Sequence, residues 1–128
     1  MQIKVFGIEH SAEVVALCSE LGWDSYAHPT SVERGFCAPG VYAFVAVEQQ
    51  RVVGFVHAFG DGIAQGYLSM VGVADQYRGR GIATQLIRAA TSAAGVPRMD
   101  LLADEGAEGF YRAFPHRQKP GYRIYPGS

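Results

Sequence analysis

Between Gln65 and Ala94 the apolar residues change period, and the change falls across two glycines, Gly79 and Gly81. Gln65 to Val73 is a short run with β-branched residues and reads as a strand. From Ile82 onward, Ile82, Ala83, Leu86, Ile87, Ala90, Ala93 and Ala94 recur at helical spacing. Gly95 and Pro97 end that helix, and Arg98 to Ala103 reads as another strand. A strand–helix–strand order with so long a crossover implies that the two strands pair in parallel.

The residues before this unit predict an antiparallel meander. Val41 to Val47 and Val52 to Phe59 are strands joined by the polar turn Glu48-Gln49-Gln50-Arg51, and Asp61-Gly62 turns the chain into the strand at Gln65. Ile3 to Phe6 is a further strand. Ser11 is placed to cap a helix over residues 12 to 21, with Glu13 in its first turn and Gly22 as its stop. A short helix is expected at Ser31 to Phe36 and another at Ala107 to Phe114, with a last strand at Tyr122 to Tyr125. The expected fold class is therefore α/β, of the α+β type: an antiparallel meander followed by a β-α-β crossover, one mixed sheet, helices on both faces, and a single domain over 1–128.

Composition narrows the function. With a formal net charge of −1 and 18% charged residues, the chain as a whole suggests neither a nucleic-acid nor a membrane partner. No apolar run reaches the roughly 18 residues a membrane span needs, and Met1 to His10 lacks the apolar core of a signal peptide. Cys18 and Cys37 form no paired motif, which points to a reducing, cytoplasmic compartment. His10, His28 and His116 show no metal-ligand spacing, so no metal is expected. The basic stretch Pro115-His116-Arg117-Gln118-Lys119 reads as a solvated loop.

Any anion site must then be local, and the glycine turn supplies one. Glycine lets backbone approach a ligand with no Cβ in the way. The first N–H groups of a helix are unpartnered and carry partial positive charge. Arg78 and Arg80 add charge, so a phosphate site is expected here. The loop lacks the Gly-Lys-Ser/Thr ending of a P-loop, and its glycine spacing is not that of a Rossmann fingerprint.

Gln76-x-x-Gly79-x-Gly81, within Val73-Ala74-Asp75-Gln76-Tyr77-Arg78-Gly79-Arg80-Gly81-Ile82-Ala83, resembles the signature of the GNAT acetyltransferases. The order of elements from about residue 40 to 113 is similar to that family as well. The resemblance implies that acetyl-CoA is the cosubstrate, with its pyrophosphate on backbone amides of Arg78 to Thr84. The cofactor-binding set is then Gln76, Arg78, Gly79, Arg80, Gly81, Ile82, Ala83 and Thr84. The pantetheine arm would lie along the preceding strand like an added strand, bonded by Val71 and Val73. A break in that strand is expected at Gly72.

A second match is Asp104-x-x-Ala107-x-x-Phe110-Tyr111, where the family often has asparagine first. Asp104 is expected to cap the helix rather than to touch the cofactor. By resemblance Tyr111 is the acid that protonates the leaving thiolate, and a backbone N–H, that of Val71, stabilises the oxyanion. Family members often place a glutamate base on this strand or its neighbour, but Tyr67-Leu68-Ser69-Met70-Val71 carries no carboxylate. His57 is a candidate base; Glu33, Glu48 and Asp61 are others.

The function this implies is transfer of an acetyl group to a primary amine of a small molecule or peptide, by direct attack in a ternary complex. A non-catalytic acetyl-CoA-binding sensor or scaffold is the alternative, and a different nucleotide-binding domain with a reused glycine loop is a third. Tyr26, Phe36 and Tyr42 are candidate walls for the acceptor. Similar proteins are commonly dimers, so a homodimer is allowed.

Overall fold

A computed structural model describes residues 1–127. Five strands form one sheet: β1 (Gln2–Val5), β2 (Val41–Glu48), β3 (Arg51–Gly60), β4 (Gly66–Val73) and β5 (Met99–Asp100), in that spatial order. All neighbours are antiparallel except β4 and β5, which are parallel. The crossover between those two is α3 (Ile82–Ala94), as the change of period predicted. The β3–β4 turn is tied by one carboxylate: Asp61 Oδ1 accepts the N–H groups of Ile63, Ala64 and Gln65 at 2.8, 2.8 and 3.1 Å. These bonds hold the Asp61 carboxyl below its ordinary pKa.

Alternation along the strands divides the core in two. Val45 and Phe55 pack with Val14, Leu17 and Cys18 of α1 (Ser11–Glu20) and with Val32 and Phe36 of α2 (Pro29–Phe36). Ala46, Val56, Ala58 and Leu68 pack on the other face against Ile82, Leu86, Ile87 and Ala90 of α3. Tyr111 of the short α4 (Glu108–Arg112) joins that second cluster. The helices therefore cover both faces. Close approach of α3 depends on Gly54, where a Cβ would lie 3.2 Å from Leu86 Cδ1 and 3.1 Å from the Gly72 carbonyl oxygen.

Four expectations need correction. Ser11 is not a cap: a 3-10 turn over Ile8–His10 precedes α1, and the buried Ser11 hydroxyl has no partner among the described residues. Asp104 is not a cap either; α4 starts at Glu108, and the Asp104 carbonyl accepts the Ala107 N–H at 2.9 Å in a turn before it. The expected strand Arg98–Ala103 shrinks to two residues, because only Gly66↔Met99 and Tyr67↔Asp100 pair before the chains part. The expected strand Tyr122–Tyr125 is absent. Tyr122 and Ile124 are 85% and 82% exposed and have no strand alongside to pair with. Pro115, Pro120 and Pro126 around them remove ladder donors.

Candidate active site

The parting of β4 and β5 opens the site. The last pair is Tyr67↔Asp100, and β4 runs on alone to Val73. Which of its groups face the gap follows from the ladder with β3. Ala74 N–H donates to the Val53 carbonyl at 2.9 Å, and Gly54 pairs with Val73, Phe55 with Gly72, Val56 with Val71. Hydrogen-bonding residues alternate along an antiparallel strand. Gly72, like Ala74, therefore turns its N–H and C=O toward β3, while Val71 and Val73 turn theirs toward the open side. A strand edge with unpaired backbone groups is a template for an extended ligand.

The irregularity in β4 lies at a different residue from the one expected. His57 pairs with Met70 and Ala58 with Leu68, so Ser69 is the extra residue of a bulge. Gly72 stays in register. It is glycine because a Cβ there would lie 2.7 Å from Leu21 Cδ1 and 3.0 Å from Trp23 Cζ3.

Beyond β4 the chain makes a 3-10 turn over Asp75–Tyr77 and then a loop in which Gly79 and Gly81 have φ of 76° and 77°. This left-handed backbone favours glycine. Gly81 occupies the N-cap position of α3, which leaves the N–H groups of Ile82, Ala83 and Thr84 at the open end of a helix of 13 residues. A Cβ at Gly79 or Gly81 would meet nothing within 4 Å, so the space over the loop is free for phosphate oxygens. Arg78 pairs with Asp75 at 3.2 Å, and Arg80 lies 4.9 Å over the Tyr77 ring and donates to the Gln76 carbonyl at 3.3 Å. The Gln76 side chain is exposed. This donor set fits a diphosphate: backbone N–H groups at a helix start with two guanidinium groups beside them.

Tyr111 is half-buried and packs in the cluster that includes Val71 and Val73. Burial pushes its hydroxyl pKa up, and the Asp104 charge adds to the rise. The hydroxyl thus keeps its proton at neutral pH and can donate it.

His57 sits elsewhere than a surface base would. It is 1% exposed, ringed by Phe36, Phe59 and Tyr26 at centroid distances of 4.7, 4.9 and 6.0 Å. Its Nε2–H donates to the Gly35 carbonyl at 3.1 Å, and its Nδ1 is hydrogen-bonded to Ser69 Oγ. Desolvation lowers its pKa from 6.5, partly opposed by the bond to Gly35. With no free ring nitrogen, His57 has no direct route to a substrate. Sequence reasoning missed Ser69, since which residue bulges depends on cross-strand register rather than on local composition.

The other suggested carboxylates lie on β2, in the β3–β4 turn and on α2. Glu48 lies 3.6 Å from the N-terminal ammonium, and Asp61 holds the β3–β4 turn. Glu33 is on α2. Of the suggested wall residues, Tyr26 and Phe36 pack edge-on at 5.3 Å over the His57 side of the sheet, whereas Tyr42 borders Gly60 on β3. Among the described residues, no three His, Cys, Asp or Glu side chains are grouped to hold a metal, and no helix is long and apolar enough to cross a membrane.

Known structures share this architecture. The chain superposes with a TM-score of 0.78 on aminoglycoside N-acetyltransferase AAC(6')-Iy in complex with CoA, at 19% identity over 97% of each chain. Ribosomal-protein-alanine N-acetyltransferase from Brucella melitensis gives 0.76 at 18% identity, and a GNAT acetyltransferase from Streptococcus pneumoniae gives 0.74 at 21%, each over 97% of both chains. At such identities the likeness speaks for the fold. No curated protein sequence matches. The acetyltransferase (GNAT) domain family matches residues 39–114, from the start of β2 through the glycine loop to the end of the Tyr111 helix. The chain belongs to the GNAT acetyltransferase family.

Proposed function

We propose that this protein is an N-acetyltransferase that moves the acetyl group of acetyl-CoA to a primary amine by direct attack in a ternary complex. One observation carries the reading: the unpaired edge at Val71 and Val73 leads straight into the glycine loop and the start of α3. An extended thioester substrate with a diphosphate at one end matches that sequence of donors. Val71 and Val73 would bond the pantetheine amides. Amides from Arg78 to Thr84 would hold the pyrophosphate, with Gln76 on the flank. The Val71 N–H, aimed into the gap, would stabilise the oxyanion. Tyr111, kept protonated by burial, would protonate the departing sulfur.

The acceptor is proposed as a small-molecule or peptide amine. AAC(6')-Iy is an aminoglycoside acetyltransferase and the Brucella protein a ribosomal-protein-alanine acetyltransferase, and these two kinds of amine define the first compounds to try. The test is Tyr111→Phe. Turnover of acetyl-CoA with kanamycin, spermidine and an alanine-terminated peptide should fall about 100-fold, with acetyl-CoA affinity unchanged. Full turnover in the variant would remove Tyr111 as the acid. Acetyl-CoA binding without transfer to any of many amines would instead favour a sensor or scaffold.

A further inference from the structure

The proposed reaction leaves one role unfilled, that of the group that takes the proton from the attacking amine. No carboxylate lies on β4 from Gly66 to Val73, and His57 is sealed from solvent. Resting on the acetyltransferase reading, we propose that Ser69 Oγ takes the amine proton while passing its own to His57 Nδ1, so that a serine–histidine pair is the base.

Three observations carry this. The first is position. Ser69 is the bulged residue of β4, two residues past the last pair with β5 at Tyr67 and two before Val71, whose N–H faces the gap. It is partly exposed, in contrast to His57. The second is hydrogen-bond order. A carbonyl oxygen only accepts, so the contact from Nε2 to Gly35 O puts the ring proton on Nε2. Nδ1 is then the bare nitrogen, and it faces Ser69 Oγ. The His57 carbonyl, 2.8 Å from Ser69 Oγ, is an alternative acceptor for the single hydroxyl proton, so that proton has two acceptors within reach and turns to Nδ1 when the amine proton arrives. A hydroxyl against a base that a third group orients is the arrangement proton abstraction requires. The third is cost. Burying an imidazole is unfavourable unless its nitrogens are satisfied, and here both are, within a wall of Phe36, Phe59 and Tyr26 rings.

The step balances. The amine nitrogen bonds to the acetyl carbon and the carbon–sulfur bond breaks. One amine proton goes to Ser69 Oγ as the serine proton goes to His57 Nδ1. Tyr111 gives its proton to sulfur, and exchange with water returns both side chains to their starting forms. Of the groups packed against the His57 ring, Tyr26 is titratable, and no ion pair reaches the ring among the described residues. Ser69 touches the substrate; His57 acts through it.

The experiment measures turnover of acetyl-CoA with kanamycin, spermidine and an alanine-terminated peptide from pH 5 to 9, with calorimetric acetyl-CoA affinity as the folding control. Ser69→Ala and His57→Gln should each lower kcat/KM for the amine about 100-fold at unchanged acetyl-CoA affinity. Both should lose the acid limb of the profile, which in the wild type lies below pH 6.5 because burial depresses the His57 pKa. The double variant should be no slower than either single one, since the two act as a unit, and Ser69→Thr should retain the limb. An unaltered profile in Ser69→Ala, or losses that multiply in the double variant, would overturn the relay and leave the acetyltransferase reading intact. Acetyl-CoA binding by the wild type without transfer to these or to any of many other amines would overturn both.

Discussion

Replacing Gly81 with alanine separates the loop's conformation from its chemistry. Gly81 has φ 77° and ψ 11°, a left-handed backbone that costs an L-residue about 1–2 kcal/mol. A Cβ there would meet nothing within 4 Å, so no steric term is added. Alanine also restricts the unfolded chain, which returns about 0.4–1 kcal/mol. The net loss of stability should be about 1 kcal/mol, or about 4 °C in Tm for a domain of this size. The effect on acetyl-CoA should be larger. Relief of the strain turns the Gly81 peptide away from its cap geometry and misdirects the N–H groups of Ile82, Ala83 and Thr84. Hydrogen bonds to charged groups contribute about 1.5–3 kcal/mol each. Losing two would weaken binding about 10²–10⁴-fold. Gly62→Ala is the control. Gly62 has φ 75° and equally open space, but it lies in the β3–β4 turn, so the variant should share the Tm loss without the affinity loss. Calorimetric titration with CoA and thermal melting read both quantities. Wild-type affinity in Gly81→Ala beside the expected Tm loss would refute the assignment of the loop.

Other consequences follow from burial. His57 titrates lower in the folded protein than its ordinary 6.5, so the unfolded chain binds the extra proton first. Its contribution to stability is complete above pH 6.5 and is lost as pH falls from 6.5 through the folded pKa. Tm should drop over that window, and His57→Gln should flatten the drop; an equal slope in the variant would place the acid sensitivity elsewhere. Cys18 is buried, with its thiol pushed up to about 11, whereas Cys37 is exposed. Iodoacetamide at pH 8 should therefore label the native protein once, at Cys37, and twice only after denaturation. Rapid native labelling of Cys18 would mean that α1 opens readily.

Much of this fold was legible because its signals are local. The change from strand to helical period at Gly81, the stop at Gly95 and the turns at Glu48–Arg51 and Asp61–Gly62 all depend on residues within a few positions of one another. The glycine turn was legible for the same reason: glycine spacing and helix start are adjacent in the chain. What the chain concealed depends on distant partners. The bulge falls at Ser69 rather than Gly72 because β3 and β4 shift register between His57 and Ala58, and no residue near Ser69 announces that shift. Gly72 looked like a break but answers to Leu21 and Trp23 on the far side of the core. β5 stops at Asp100 although the β-like run continues to Ala103, because the strand beside it has diverged. His57 had the right chemistry for a base on its pKa alone, but only the three-dimensional packing shows that it is sealed behind aromatic rings and hydrogen-bonded to Ser69.

The gap beside Val71 and Val73, with the loop at Gly79 and Gly81, is the proposed site for acetyl-CoA. Titrating the wild-type protein with acetyl-CoA in a calorimeter, with and without excess ATP, tests it most directly. Saturable one-to-one binding that ATP leaves unchanged is the result expected. Absence of binding, or displacement of acetyl-CoA by ATP at comparable concentration, would contradict it, because a site built for the pantetheine arm as well as the phosphates must tell the two apart.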